Sequence, residues 1–210
     1  MMYRISKRVF DLAAASVLLL MLVPLLLLLG VMILTTSGRP VFFRQTRAGH
    51  KGHPFQVIKL RTLHTGPHDP KQPEAHTTPV GRFLRHYALD ELPQLWNIIR
   101  GQMSLVGPRP ILPEEAQNYT AEERRRLDVL PGLTGWAQVN GRNALSWVHR
   151  IEHDLWYVDH CSFWLDLRIV ARTPWALLSG QGVYGLGNLD PDEEAFAAYR
   201  REALDAKGKG

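Results

Sequence analysis

The chain has 210 residues, 45% of them hydrophobic and 9% aromatic, enough for one ordinary domain with a small appendage. Its single cysteine, Cys161, excludes an intrachain disulfide and fits a reducing compartment, and no zinc-type Cys/His spacing occurs. A net charge of +5 and a pI near 9.6 call for an anionic partner: nucleic acid, a nucleotide or acidic lipid headgroups.

Leu12 to Ser37 contains no charged residue and is long enough to cross a bilayer. It is too long for a cleaved signal peptide, and no small-x-small site follows it. A plain single-span anchor is the ordinary reading. Pro24, near the middle, opposes it by removing a backbone hydrogen bond and leaving two halves of about 18 Å each. The flanks oppose it too. Arg4, Lys7 and Arg8 precede the run and Arg39, Arg44, Arg47 and Lys51 follow it, so both ends carry the mark of the cytoplasmic side. Residues 1–38 are therefore expected to form a re-entrant helix–break–helix that enters and leaves by one face.

Residues 39–189 read as a cytosolic domain on that face, and 190–210 as a C-terminal helix and tail. Val41 to Arg47 and Phe55 to Leu63 have strand character, and the Gly- and Pro-containing stretch between them makes a small β-hairpin. Lys59 and Arg61 share one strand face, where they either hold a diphosphate or meet solvent. Residues 64–79, rich in Pro, His and Thr, are expected to be a mobile loop. Its prolines and glycine argue against a helix, so His64 and His68 are not read as a metal site.

Val80 to Tyr87, which carries Arg85, leads into the central stretch Ala88 to Gly101. Here Leu89, Leu92, Trp96 and Ile99 form an apolar stripe at helical spacing. Asp90 falls at the N-cap, Pro93 in the first turn, and Gly101 where a helix stops. Asp90 and Glu91 thus stand at the positive end of a helix dipole, which favours ionised Asp90 and attracts phosphate. Taken alone, an ordinary cap followed by an ordinary first-turn acid also explains the pair.

Further on, Arg109 lies between Pro108 and Pro110, on a backbone stiff enough to aim a guanidinium at a phosphate. Glu114 to Leu130 reads as a charged helix, with Arg124-Arg125-Arg126 as a solvated or headgroup-facing surface. In Pro131 to Arg142, glycines bracket a short strand on which Gln138, Asn140 and Arg142 share a face suited to a base and a phosphate. Asn143 caps a helix to about Val158, with Trp147, Ile151, Leu155 and Val158 as its stripe. Phe163 to Leu178, with Trp164, Trp175, Arg168 and Arg172, reads as an interfacial helix interrupted at Pro174. Asp190-Pro191 opens a short terminal helix. The expected fold class is α+β, mostly helical: a monotopic membrane protein with an N-terminal re-entrant helix–break–helix, a small β-hairpin and interfacial amphipathic helices.

Four blocks in this order carry a family resemblance: Phe55 to Thr62, Leu89 to Asn97, Met103 to Pro110, and Pro131 to Arg142. Together with Lys7-Arg8-Val9-Phe10-Asp11 they resemble the bacterial sugar transferase family, the monotopic phosphoglycosyl transferases. One departure is that the membrane-helix break, typically Ser-Pro in that family, is Val23-Pro24 here. The resemblance implies transfer of a sugar-1-phosphate from a UDP-sugar to a polyprenol phosphate such as undecaprenyl phosphate, with Mg²⁺ and release of UMP. It implies Asp90 as the nucleophile and a ligand of Mg²⁺, and Glu91 as an assisting group. Arg109, with Lys59, Arg61 or Arg85, would bind the transferring phosphate, and Gln138, Asn140 and Arg142 the UDP. It also implies a bacterial cytoplasmic-membrane location, the catalytic domain on the cytoplasmic face among membrane lipid. Nucleic acid is not an expected partner, a homodimer is left open, and no residue selects the sugar. The alternative of another class, a membrane-tethered basic module without catalysis, rests on the pI and the arginine runs.

Overall fold

A computed structural model describes residues 2–66, 76–141 and 144–178. The first element is a single helix, α1 (Met2–Ser37), with a mean hydropathy of 3.2 over its most apolar window. The break expected at Pro24 is not there, because helical geometry runs through the proline without interruption. Pro24 lacks a backbone donor and its ring crowds the carbonyl four residues earlier, which bends a long helix without ending it. After it, β1 (Phe42–Ala48) and β2 (Pro54–Leu60) pair antiparallel, with Phe43 opposite Lys59 and Arg47 opposite Phe55, as the hairpin reading expected.

α2 (Pro79–His86) begins at Thr78, whose hydroxyl accepts from the Gly81 N–H. The central stretch then starts as a tight 3₁₀ turn, Leu89–Gln94, and relaxes into α3 (Leu95–Ile99) before Gly101 stops it at φ +79°. Its buried face is shifted from the expected stripe: Leu89 and Ile99 are half-buried against the core and Leu92 is half-buried. Asp90, Gln94, Asn97 and Ile98 are buried, whereas Trp96 is 48% exposed. The polar residues turn inward because they have partners there. Asn97 behaves as a piece of strand against the open edge of β2: its Oδ1 accepts from Ile58 N–H and its Nδ2 donates to Gln56 O.

β3 (Ser104–Val106) pairs in parallel with β4 (Gly132–Thr134). Between them, the expected charged helix is three short turns: α4 (Pro113–Gln117), α5 (Ala121–Arg124) and a 3₁₀ turn, Arg125–Asp128. α5 opens on a capping box, Thr120 with Glu123. Arg126 is not part of a solvated surface but buried with Asp154. Past β4 comes α6 (Trp136–Val139), a helical turn where a strand was expected. α7 (Trp147–His160) is capped by Ser146 rather than Asn143, which lies outside the described residues. α8 (Phe163–Leu178) has the expected bounds but runs through Pro174 without interruption. The expected loop tip at 67–75 and the C-terminal helix and tail lie outside the described residues.

The main core joins Val57 of β2, Leu95 and Ile98 of α3, Met103, Leu105 and Val106 around β3, Tyr157 of α7 and Ile169 of α8. Both ends of α1 are bonded to this body. Near its start, Lys7 pairs with Asp166 at 2.7 Å and Arg8 donates to the carbonyls of Ile98 and Ile99. Asp11 accepts from Ser104 Oγ and Leu105 N–H. Near its end, Leu29 and Ile33 pack with Leu60 and Leu84, and Arg61 Nη2 donates to the carbonyls of Ser37 and Gly38.

Candidate active site

The site starts from a backbone reversal. Ala88 takes the left-handed conformation at φ 54°, a strained choice for a residue with a side chain, and turns the chain from α2 into the 3₁₀ turn. That turn places Asp90 and Glu91 against β2, with Asp90 the second residue of the turn rather than its cap. The two carboxylates then diverge. Asp90 is 8% exposed and has no hydrogen-bond or ion-pair partner among the described residues. Burial pushes its carboxyl up to about 6, with neighbouring Glu91 adding to the shift and Lys59, Arg85 and Arg109 opposing it. The dipole-favoured ionisation expected for Asp90 is therefore outweighed by desolvation.

Glu91 is held from two sides. Lys59 Nζ donates to Oε1 at 2.8 Å, and Arg109 donates through Nη2 to Oε1 at 2.9 Å and through Nη1 to Oε2 at 3.4 Å. Burial alone would raise this carboxyl, but Arg109 and Lys59 together hold it well below the usual carboxylate range. One member of the pair is thus a fixed anion, and the other is a free carboxylate whose charge changes near neutrality. Arg47, Val57, Lys59, Glu91, Gln94, Arg109, Pro110 and Gly132 line the recess on the Glu91 side of the pair.

Of the site residues expected from the sequence, Lys59, Arg85, Asp90, Glu91 and Arg109 come together. Arg85 acts on Asp90 through its charge while Nε donates to Thr62 Oγ1. Arg61 does not join them: β2 ends at Leu60, and the buried Arg61 side chain turns to the end of α1. Gln138 and Asn140 are on α6 and at its cap, so they share no strand face. Gln138 turns toward Gly135, and the exposed Asn140 donates to Trp136 O. Arg142 lies outside the described residues. Three residues beside the site are not among the site residues expected from the sequence: Arg47, Asn97 and Arg126. The sequence signal for Arg47 is its alternation with Gln45 along β1, which its place in the basic flank of the apolar run conceals.

No group of three or more His, Cys, Asp or Glu side chains capable of holding a metal occurs among the described residues. Mg²⁺ does not require one, since it is commonly held by one or two carboxylates, with water and substrate phosphates completing its shell. Asp90, free of partners where Glu91 is fully engaged, fits that donor set.

Residues 2–180 match the family described as bacterial sugar transferase. The chain is 45% identical over 183 residues to "Uncharacterized sugar transferase EpsL" of Bacillus subtilis (strain 168), covering 85% of this chain and 90% of that protein. It is 44% identical over 193 residues to "UDP-glucose:undecaprenyl-phosphate glucose-1-phosphate transferase" of Caulobacter vibrioides, covering 86% and 72%. Against "Undecaprenyl-phosphate galactose phosphotransferase" of Salmonella typhimurium the identity is 34% over 201 residues, covering 86% of this chain and 42% of that protein.

Proposed function

The chain belongs to the bacterial sugar transferase family and is a transferase, and on that footing we propose that it moves a sugar-1-phosphate from a UDP-sugar to a polyprenol phosphate through a covalent aspartyl intermediate. The observation that carries this reading is the asymmetry of the carboxylate pair: Asp90 is unpaired among three cations, and Glu91 is doubly paired. A nucleophile needs a free oxygen lone pair, and a phosphoryl acceptor site needs positive charge around it.

In the first half-reaction an Asp90 oxygen attacks the β-phosphorus of the UDP-sugar. The bond from that phosphorus to the bridging oxygen breaks, and UMP leaves with the electron pair. In the second, a phosphate oxygen of the polyprenol phosphate attacks the same phosphorus and returns the electrons to Asp90, giving a polyprenyl diphosphate sugar. Splitting the transfer keeps the two phosphate substrates from having to meet as anions. Arg109 and Lys59 neutralise charge on the transferring group, and Arg85 does so from the α2 side. Glu91 sets the positions of Lys59 and Arg109. Mg²⁺ held by Asp90 would supply further neutralisation of phosphate oxygens.

The membrane side of the reading rests on α1 and the aromatic residues. A straight helix of this length is about 54 Å long, well beyond a hydrocarbon core of about 30 Å. A crossing helix would carry one end away from the body, yet the Lys7–Asp166 and Arg61–Ser37 contacts tie both ends to it. We therefore keep the re-entrant, same-face path, formed by bending within a continuous helix. Trp164 at 76% and Trp175 at 77% exposure, with Trp96 beside the site, would lie at headgroup level on the cytoplasmic face. The basic-module alternative loses part of its support, since Arg126 is a buried ion-pair partner. Incubation with a panel of UDP-sugars and undecaprenyl phosphate tests the reading. Without the lipid, UMP release is expected to stop once each chain carries the adduct, and sustained release is expected only with the acceptor; sustained release unaffected by that acceptor would contradict transfer.

A further inference from the structure

The Pro108-Arg109-Pro110 segment is held at every carbonyl. Pro108 O accepts from Gly132 N–H of β4 at 2.9 Å. Arg109 O accepts from Arg126 Nη2 at 3.3 Å, and Pro110 O from Arg47 Nη1 at 3.4 Å. The two prolines have no N–H and fixed φ angles, so these three carbonyls and the Arg109 N–H are the segment's backbone handles. Three separate elements take one each. Both arginine donors are themselves braced. Arg126 is 4% exposed and donates to Asp154 of α7 and to the Tyr119 hydroxyl. Arg47 is 7% exposed and donates through Nε and Nη2 to Gln45 Oε1.

A buried arginine with only backbone and amide acceptors is an expensive way to hold a loop that serves no purpose. What the loop holds is the Arg109 guanidinium on Glu91. We propose that Arg47 and Arg126 are positioning residues for Arg109, fixing the backbone on either side of it so that its guanidinium meets the transferring phosphate already oriented. The proposal deepens the reading of Arg109 as the phosphate clamp and rests on it. Neither arginine touches substrate in this account. Both act through one peptide segment, and α7 enters the site's geometry through Asp154 and Arg126.

The test is a double-mutant cycle on the full chain in lipid nanodiscs. Arg47→Gln is expected to lower kcat by about tenfold to a hundredfold with little change in KM for the UDP-sugar, the loss typical of a misplaced group. In an Arg109→Ala background the same change is expected to cost less than about twofold, because coupled residues do not add. Arg47→Lys, which keeps a cationic donor nitrogen, should recover part of the rate. An additive loss in the Arg109→Ala background would overturn the proposal. A second reading needs no turnover: ¹⁵N relaxation of the Arg109 guanidinium should report it ordered in the parent chain and mobile in Arg47→Gln and Arg126→Gln. Equal order in parent and Arg47→Gln overturns the proposal even if Arg126→Gln fails to fold. A parent chain with no transfer on any UDP-sugar would defeat the phosphotransfer reading instead, and leaves the relaxation comparison to decide on Arg47.

Discussion

Arg109 Nη2 lies 2.9 Å from Glu91 Oε1, and this contact joins a stiff Pro-Arg-Pro segment to a carboxylate pair 18 residues earlier in the chain. It divides the labour between adjacent acids. Glu91 becomes a fixed anchor for cations, and Asp90 is left without a partner in a buried, positively charged setting.

Asp90→Asn removes the only free carboxylate of the pair and leaves the Lys59–Glu91–Arg109 cluster in place. Turnover is expected to fall by several orders of magnitude, as loss of a nucleophile does. Lipid-dependent UMP release measures it. The same variant should be more stable than the parent at pH 8, by on the order of 1–3 kcal/mol, because it no longer buries an ionised group raised to about 6. The sign follows from the direction of the shift: the cost of burying the charged form builds up as pH rises from the ordinary carboxyl value of 3.8 to about 6, and is complete above it. The advantage should shrink as the pH falls from about 6 to about 4 in thermal melts.

The same shift sets a pH profile. The first half-reaction needs ionised Asp90, so its single-turnover rate should rise with pH through about 6 and level off above it. Glu91, held well below the usual range by Arg109 and Lys59, stays ionised throughout and adds no inflection there. A rate that is flat from pH 5 to pH 8 would remove Asp90 from the rate-determining chemistry.

Arg109→Lys keeps the charge and loses the fork. It is expected to lower kcat by about tenfold to a thousandfold, since a point charge cannot replace a two-pronged contact on a phosphate. Glu91→Gln should be comparably slow for a different reason, because Lys59 and Arg109 lose the anion that holds them. Steady-state kinetics with both variants, together with melts to confirm folding, check this.

Gly132 is where the sheet and the clamp meet. A Cβ there would stand 2.1 Å from Gly107 N and 2.3 Å from Thr134 O, both backbone atoms that have no way to move aside. Gly132→Ala is expected to destabilise the chain by about 3 kcal/mol, measured by denaturant unfolding, and to disturb the Pro108 carbonyl that the Gly132 N–H holds.

Membrane topology has its own measurement. With Cys161 replaced by Ala, single cysteines at Ser6 and Thr36 should be labelled by an impermeant reagent from the same side of sealed vesicles. Labelling from opposite sides would make α1 a plain crossing helix.

Much of the site was legible because its residues fall in short, distinctive blocks: Lys59 at the end of a strand, Asp90-Glu91 at the start of a turn, Arg109 between prolines. The hairpin and the bounds of α8 followed from alternation and from apolar content. The misses share a physical cause. The central stretch was read with its apolar residues inward, but its polar residues have partners in β2 and at the site, and Trp96 faces outward. Gln138 was put on a strand because a four-residue helical turn between glycines leaves no period to count. Arg126 was put on the surface because its partner, Asp154, is 28 residues away, and pairing at that distance leaves no local mark. Pro24 and Pro174 end neither helix, since a long helix accommodates an interior proline without stopping.

The most direct measurement of the covalent step is to incubate the chain with a UDP-sugar labelled in the β-phosphate, without lipid acceptor, then digest it and locate the label by mass spectrometry. The account predicts a sugar-phosphate adduct on Asp90 that disappears when undecaprenyl phosphate is added. A chain that transfers the sugar normally, yet never carries the label on Asp90, would contradict it.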